Sequence, residues 1–141
     1  MTDQDVVETS LRVRYAETDA MGVVYHTNYI IWFEVGRGEY LRQKGGEYRE
    51  FEGKGFYLPV IEVDARFLAA ARYDDVVVVR TSLQQFRSRS ITLYYEVVKK
   101  DTGQLLVTGH TRHLCTDQEG RVRRFSQQMI EVFKRGEEAS A

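Results

Sequence analysis

Residues 15–42 read YAETDAMGVVYHTNYIIWFEVGRGEYLR, and the two ends of this stretch behave differently. Thr18, Asp19 and Gly22 leave regular structure readily, so Asp19-Ala20-Met21-Gly22 is predicted as a turn that closes a strand ending at Tyr15. Thr27 and Asn28 are candidate caps for a helix carrying Tyr29, Ile30, Ile31, Trp32, Phe33 and Val35, then Tyr40 and Leu41. Lys44 suits the last turn, and Gly45-Gly46 supplies a stop signal. Apolar residues lie nearly all round the first two turns, which predicts an enclosed helix. Gly36 and Gly38 each cost roughly 1 kcal/mol against Ala inside a helix. Close approach of another backbone is the expected compensation.

Outward from this helix, the chain alternates. Residues 1–8 read as a loose N-terminus, and Ser10 to Tyr15 as a strand with Leu11, Val13 and Tyr15 on one face. Gly45 to Gly55 is polar and glycine-rich, a predicted loop with a short helical turn. Tyr57 to Ala70 is predicted as a strand with Pro59 near its start, where a missing donor is tolerated. Tyr73-Asp74-Asp75 reads as a turn before a strand from Val76 to Phe86. A bulge at Arg87 to Arg89 precedes a strand from Ser90 to Lys100, and Asp101-Thr102-Gly103 is a hairpin loop. Leu105 to Thr116, a turn at Asp117 to Gly120, and a short extended piece to Arg124 follow. Ser126 caps a last helix reaching Arg135. Sequential long strands with tight turns predict an antiparallel meander, strongly twisted and curling round the helix, an α+β arrangement. Its edge strands call for a second subunit.

The 141 residues suit one domain, and 43% hydrophobic with 29% charged residues describes a globular chain. A net charge of −1 gives no general reason to expect nucleic acid or an anionic membrane as partner. No apolar run approaches the roughly 18 residues of a membrane span. The acidic, polar start MTDQDVVETS is unlike a signal peptide. The single cysteine, Cys115, cannot form an internal disulfide, which fits a reducing cytoplasm, and reads as a small buried apolar residue.

Several catalytic inventories are missing from the sequence. It carries no GxSxG elbow, no P-loop and no GxGxxG. His110 and His113, three apart in a strand, point to opposite faces and do not share a metal easily. Asp19 with Tyr15, Tyr25 and His26 remains. Asp19 alone reads as a turn residue and His26 as a helix-start residue. The amino end of a buried helix beside them changes the reading, because its free N–H groups and dipole favour an anion. A carboxylate facing such donors suits hydrolysis, with a developing oxyanion held at about 10²–10³ in rate per donor. That equipment suits a thioester better than an amide, since a thiol of pKa ~8.5 leaves without a strong general acid.

The stretch from Tyr15 to Arg42 resembles the acyl-CoA thioesterases of the hot-dog fold, in the 4-hydroxybenzoyl-CoA thioesterase group. Within that group it is most similar to the small cytoplasmic thioesterases encoded with the Tol–Pal envelope system. The matching places are Tyr15, Thr18, Asp19, Gly22, Val23, Val24, Tyr25, His26, Asn28, Tyr29, Phe33, Glu34, Arg37, Glu39, Leu41 and Arg42. The resemblance implies a single hot-dog domain over residues 1–141, a curved antiparallel sheet wrapped around one long central helix. It implies Asp19 as nucleophile or general base, His26 as source of an oxyanion N–H, and Tyr15 in support. From the residues themselves, Tyr25, Tyr57, Val60 and Trp32 are candidates to line an acyl pocket, although aromatic residues are more often core. Arg87 and Arg89, and more loosely Arg123, are expected to hold coenzyme A at a subunit boundary. The expected substrate is an acyl-CoA, with no cofactor beyond the coenzyme A it carries. A homodimer, paired further into a homotetramer, is the expected assembly. Two other readings are a hot-dog hydratase or dehydratase on acyl thioesters, and a non-catalytic module that binds acyl carrier protein.

Overall fold

The computed structural model describes residues 5–44, 55–131 and 133. Among the described residues, five strands form one antiparallel sheet: β1 (Val7–Arg12), β2 (Val60–Phe67), β3 (Val76–Phe86), β4 (Ser90–Lys99) and β5 (Leu105–Leu114). Their order across the sheet is β1-β3-β4-β5-β2. The meander β3–β4–β5 is the predicted one, joined by tight turns. β4 shows why it forms: Ile91, Leu93, Tyr95 and Val97 face the core, while their neighbours are half-buried on the other side. One helix, α1 (Thr27–Gln43), lies across the inner face, packed mainly on β1, β3 and β4.

Gly36 lets α1 lie that close. A Cβ there would meet the Val79 side chain at 2.7 Å and the Thr81 hydroxyl nearer still, so side chains of β3 occupy the space. Among the described residues, a Cβ on Gly38 would meet nothing closer than the Arg42 guanidinium, 3.8 Å away, so no close approach there offsets its helix cost. Beneath α1, the Phe33 ring stacks on Tyr95 with centroids 4.5 Å apart and planes 8° from parallel. Phe86, Phe125 and Phe133 close the other end of the core. Cys115 lies fully buried there, its thiol pushed up to about 11 by desolvation.

Several expectations need correction. The N-terminus is anchored from Asp5, whose buried carboxylate accepts the Tyr40 hydroxyl at 2.9 Å and pairs with Lys44. β1 therefore begins at Val7, and Tyr15 has left the strand for a 3-10 turn over Tyr15–Glu17. β2 stops at Phe67 and pairs with β5, not with its sequence neighbour β3. The Tyr73-Asp74-Asp75 turn is real but fastens the chain to the end of β1. Asp74 N–H donates to the Val13 carbonyl, and Val13 N–H to that of Asp75. The helix is not enclosed within one chain: Tyr29, Trp32, Phe33, Gly36, Tyr40 and Leu41 are buried, yet Ile30, Ile31 and Val35 are exposed. A single sheet can cover only one side of a rod. Neither predicted cap works as one. His26 holds the N-cap position, and the Asn28 side chain donates to the Glu17 carbonyl. The Gly45-Gly46 stop and the loop to residue 54 lie outside the described residues. Ser126 does cap a helical turn over residues 127–131, its hydroxyl oxygen accepting the Met129 N–H at 3.3 Å; the reach to Arg135 lies outside the described residues.

Candidate active site

The Asp19 turn is a small hairpin. Thr18 bridges Val24, and Asp19 N–H donates to the Val23 carbonyl at 2.9 Å. Gly22, at φ +82°, makes the reversal. One carboxylate oxygen of Asp19 accepts the Met21 N–H at 2.8 Å. Its other oxygen has no partner among the described residues. A bridge from Val23 to Arg72 and a bond from Val24 N–H to the Ala71 carbonyl pin the hairpin to the loop before β3.

The chain then passes Tyr25 and enters α1 at His26. The N–H groups of His26 and Thr27 find no acceptor among the described residues, leaving donors at the positive end of the helix dipole. Beside this mouth is a cleft of about 280 Å³ lined by Val24, His26, Tyr29, Phe67 and the 68–70 loop. The exposed His26 ring lies 4.5 Å from the Tyr25 ring and 6.1 Å, edge-on, from Phe67. Further along α1 a second cleft of about 380 Å³ runs between helix and sheet, lined by Ile30, Glu34, Arg37, Val60, Val63 and Thr111.

Asp19, Tyr25 and His26 are thus brought into one neighbourhood, and Val60 lines the second cleft. Tyr15 is present differently from expectation. Its ring is 76% exposed against Tyr73, and its carbonyl is what serves the site, accepting both the N–H and the hydroxyl of Thr18. Arg87, Arg89 and Arg123 do converge. Phe125 N–H donates to Ser88, Cys115 N–H to Arg89, and Arg123 N–H to Cys115. The Arg123 guanidinium is already claimed by Asp117 at 3.0 Å. This basic patch lies beyond the end of β3 and the start of β4. The Asp19 hairpin lies at the other end of the sheet, beside the start of β3. One chain does not bring acid and arginines together.

A family model described as the thioesterase-like superfamily matches residues 13–134, nearly the whole chain. The chain belongs to that superfamily. Among relatives of this thioesterase, the acyl-CoA thioesterase YbgC of Haemophilus influenzae is 34% identical, over 76% of this chain and 78% of its own. The DHNA-CoA thioesterase of Staphylococcus aureus has a similar structure, with TM-score 0.89 and 29% identity over 94% and 91% of the two chains. A hypothetical protein of Thermus thermophilus, TT1821, gives TM-score 0.86 and 38% identity over 90% and 96%. The curved antiparallel sheet with one main helix is the hot-dog fold of these thioesterases.

Two features of this thioesterase escape a reading of residue patterns. Glu17, next but one to Asp19, is only 5% exposed and hydrogen-bonded to the Trp32 indole. No spacing rule links a turn acid to a helix residue fifteen positions on. His113 is fully buried, between the Leu58 carbonyl at 3.0 Å and the Thr111 hydroxyl at 2.8 Å. Desolvation pushes its pKa down to about 4, so it is neutral and structural. His110 faces the opposite side of the sheet, 3.0 Å from the Asp64 carboxylate, as the strand alternation predicts.

Proposed function

We propose that this chain hydrolyses acyl-CoA thioesters to the free acid and coenzyme A, with Asp19 as the working carboxylate. The observation that carries the assignment is the Asp19 turn, tied by backbone bonds to the segment entering a helix mouth with uncommitted N–H donors. The thioester carbonyl oxygen accepts from that mouth, at His26 or its neighbour. Asp19 then attacks the carbonyl carbon directly, forming an anhydride that water opens, or takes a proton from the attacking water. Negative charge gathers on the carbonyl oxygen, where the donors are already oriented. The C–S bond breaks and the sulfur leaves as thiolate, which needs little protonation at neutral pH. The two clefts along α1, one at the His26 mouth and one at Val60, accept the acyl chain, with Tyr25 beside the first.

The working unit in this proposal is a dimer. Among the described residues β2 pairs on one side only, through β5, and its inward residues Val63 and Phe67 are exposed together with Ile30, Ile31 and Val35 of α1. Two-fold pairing of β2 with its copy is antiparallel and covers that apolar face. It also sets the acid end of one sheet against the arginine end of the other. Arg87 and Arg89, with Arg123 in part, then hold coenzyme A phosphates for the Asp19 of the partner. Pairing of dimers into a tetramer, and a cytoplasmic location, belong to the same proposal; the free, buried Cys115 supports the latter.

A thiol-trapping assay over a panel of acyl-CoA lengths tests this. Asp19→Ala should lower kcat by at least ~10²-fold, as removal of a general base or nucleophile does. His26→Ala, which keeps its backbone N–H, should fall less. Full turnover in Asp19→Ala would overturn the assignment.

A further inference from the structure

Glu17 is a buried carboxylate that the chemistry above does not use. Both of its oxygens are occupied by donors from different elements. Oε1 accepts the Arg14 backbone N–H at 2.8 Å, and Oε2 accepts the Trp32 indole N–H at 2.9 Å. The Arg14 guanidinium stands 3.6 Å from Oε2 with most of its surface in solvent. The Glu17 backbone carbonyl makes two further bonds, from Tyr25 N–H at 2.9 Å and from the Asn28 side chain at 3.0 Å. One residue thereby ties the chain leaving β1 to the segment entering α1 and to the first and second turns of that helix. Asp19 lies two residues after it. His26 follows Tyr25 directly.

The chemistry of the pocket calls for a carboxylate. Two donors converge on the side chain, and a carboxylate offers an acceptor to each. A glutamine would have to aim its amino group at one of them. A buried charge is tolerated only when such bonds are complete, and here they are. Its place near the helix start adds a favourable dipole interaction. A hydrophobic residue would fill the space without fixing the angle between loop and helix.

We infer that Glu17 is a positioning residue: its bond to Trp32 sets the placement of the Asp19 carboxylate relative to the N–H mouth of α1. The inference rests on the assignment of Asp19 above. Reactivity at such a site depends steeply on geometry, a displacement of about 1 Å lowering the rate by up to ~10²-fold. Trp32 is the only tryptophan in the chain, so its fluorescence reports on this one bond.

The test compares full-length wild type, Glu17→Gln, Trp32→Phe and the double variant by thiol release and circular dichroism, and wild type with Glu17→Gln by tryptophan emission. Each single change should lower kcat about 10- to 100-fold with KM within about twofold of wild type. The double variant should be no slower than the slower single, because both changes act on the same junction between the Glu17 side chain and the Trp32 indole. Trp32 emission should change in Glu17→Gln while the circular dichroism does not. Should Glu17→Gln fail to fold, Trp32→Phe decides alone, since it leaves the Arg14 bond in place. Wild-type kcat in both singles overturns the inference. So do losses that multiply in the double variant, or losses that vanish once rates are corrected for the folded fraction. A fully active Asp19→Ala protein is a different result, and removes the assignment of the acid instead.

Discussion

Two crippled versions of this protein should repair one another when they are made to share a dimer. The Asp19 hairpin is pinned beside the start of β3, and Arg87 and Arg89 follow its end. Eleven residues of strand lie between them, about 35 Å at 3.3 Å per residue. In the proposed dimer, antiparallel pairing of β2 with its copy cancels that separation by placing the patch of each chain beside the acid of the other. Asp19→Ala then removes turnover from the site its own chain starts, at least ~10²-fold. If Arg87 and Arg89 hold coenzyme A as proposed, removing both takes away two exposed phosphate contacts of about 0.2–1 kcal/mol each, and KM should rise roughly 2- to 30-fold. A hybrid of the two variants carries both lesions in one site and neither in the other. Isolated with two different affinity tags, it should show half the wild-type kcat at the wild-type KM. A hybrid whose only activity has the raised KM would mean that acid and arginines serve the same substrate from one chain, and would refute the antiparallel reasoning.

Two further outcomes concern stability. At Gly109 a Cβ would lie 2.6 Å from the Phe33 ring and closer still to the Asp64 carbonyl oxygen, on a backbone held by the β2–β5 ladder. Overpacking of about 1–3 kcal/mol outweighs the ~0.5–1 kcal/mol gained by replacing a strand glycine, so Gly109→Ala should lose about 1–2 kcal/mol in urea unfolding. An unchanged or raised urea midpoint would contradict this. His113 titrates at about 4 when folded and near ~6.5 unfolded. Between these values the unfolded chain binds the extra proton, so stability should rise with pH from about 4 to about 6.5, by up to ~3 kcal/mol. Urea unfolding across that window should flatten in His113→Gln; a slope that survives the change would assign it to other groups.

The meander was legible because each strand carries its own signal: β3, β4 and β5 alternate, and their turns contain Asp, Gly or Ser where the backbone reverses. The placement of β2 was not. Its pairing with β5 depends on which inward faces meet beneath α1, and adjacency in sequence points to β3 instead. The helix was legible as a unit, but Ile30, Ile31 and Val35 show the limit of hydrophobicity as a guide. They are apolar because something must cover them, and the sequence does not say whether that cover is the same chain. At the site, Asp19 and His26 stand out through residue type and their place at a helix start. Glu17 does not, because its burial comes from the crossing of a turn and a helix that only three dimensions reveal.

The position of β2 also has a consequence for the nascent chain. β2 leaves the ribosome well before the strand it pairs with, and at about 5–20 residues per second the wait for β5 is roughly 2–9 s. Throughout that interval it has no ladder, and the apolar face of Val63 and Phe67 is open to any other strand. Its alternate residues are Glu62, Asp64 and Arg66. Charges at those places keep the waiting segment soluble and discourage premature pairing with a neighbouring polypeptide.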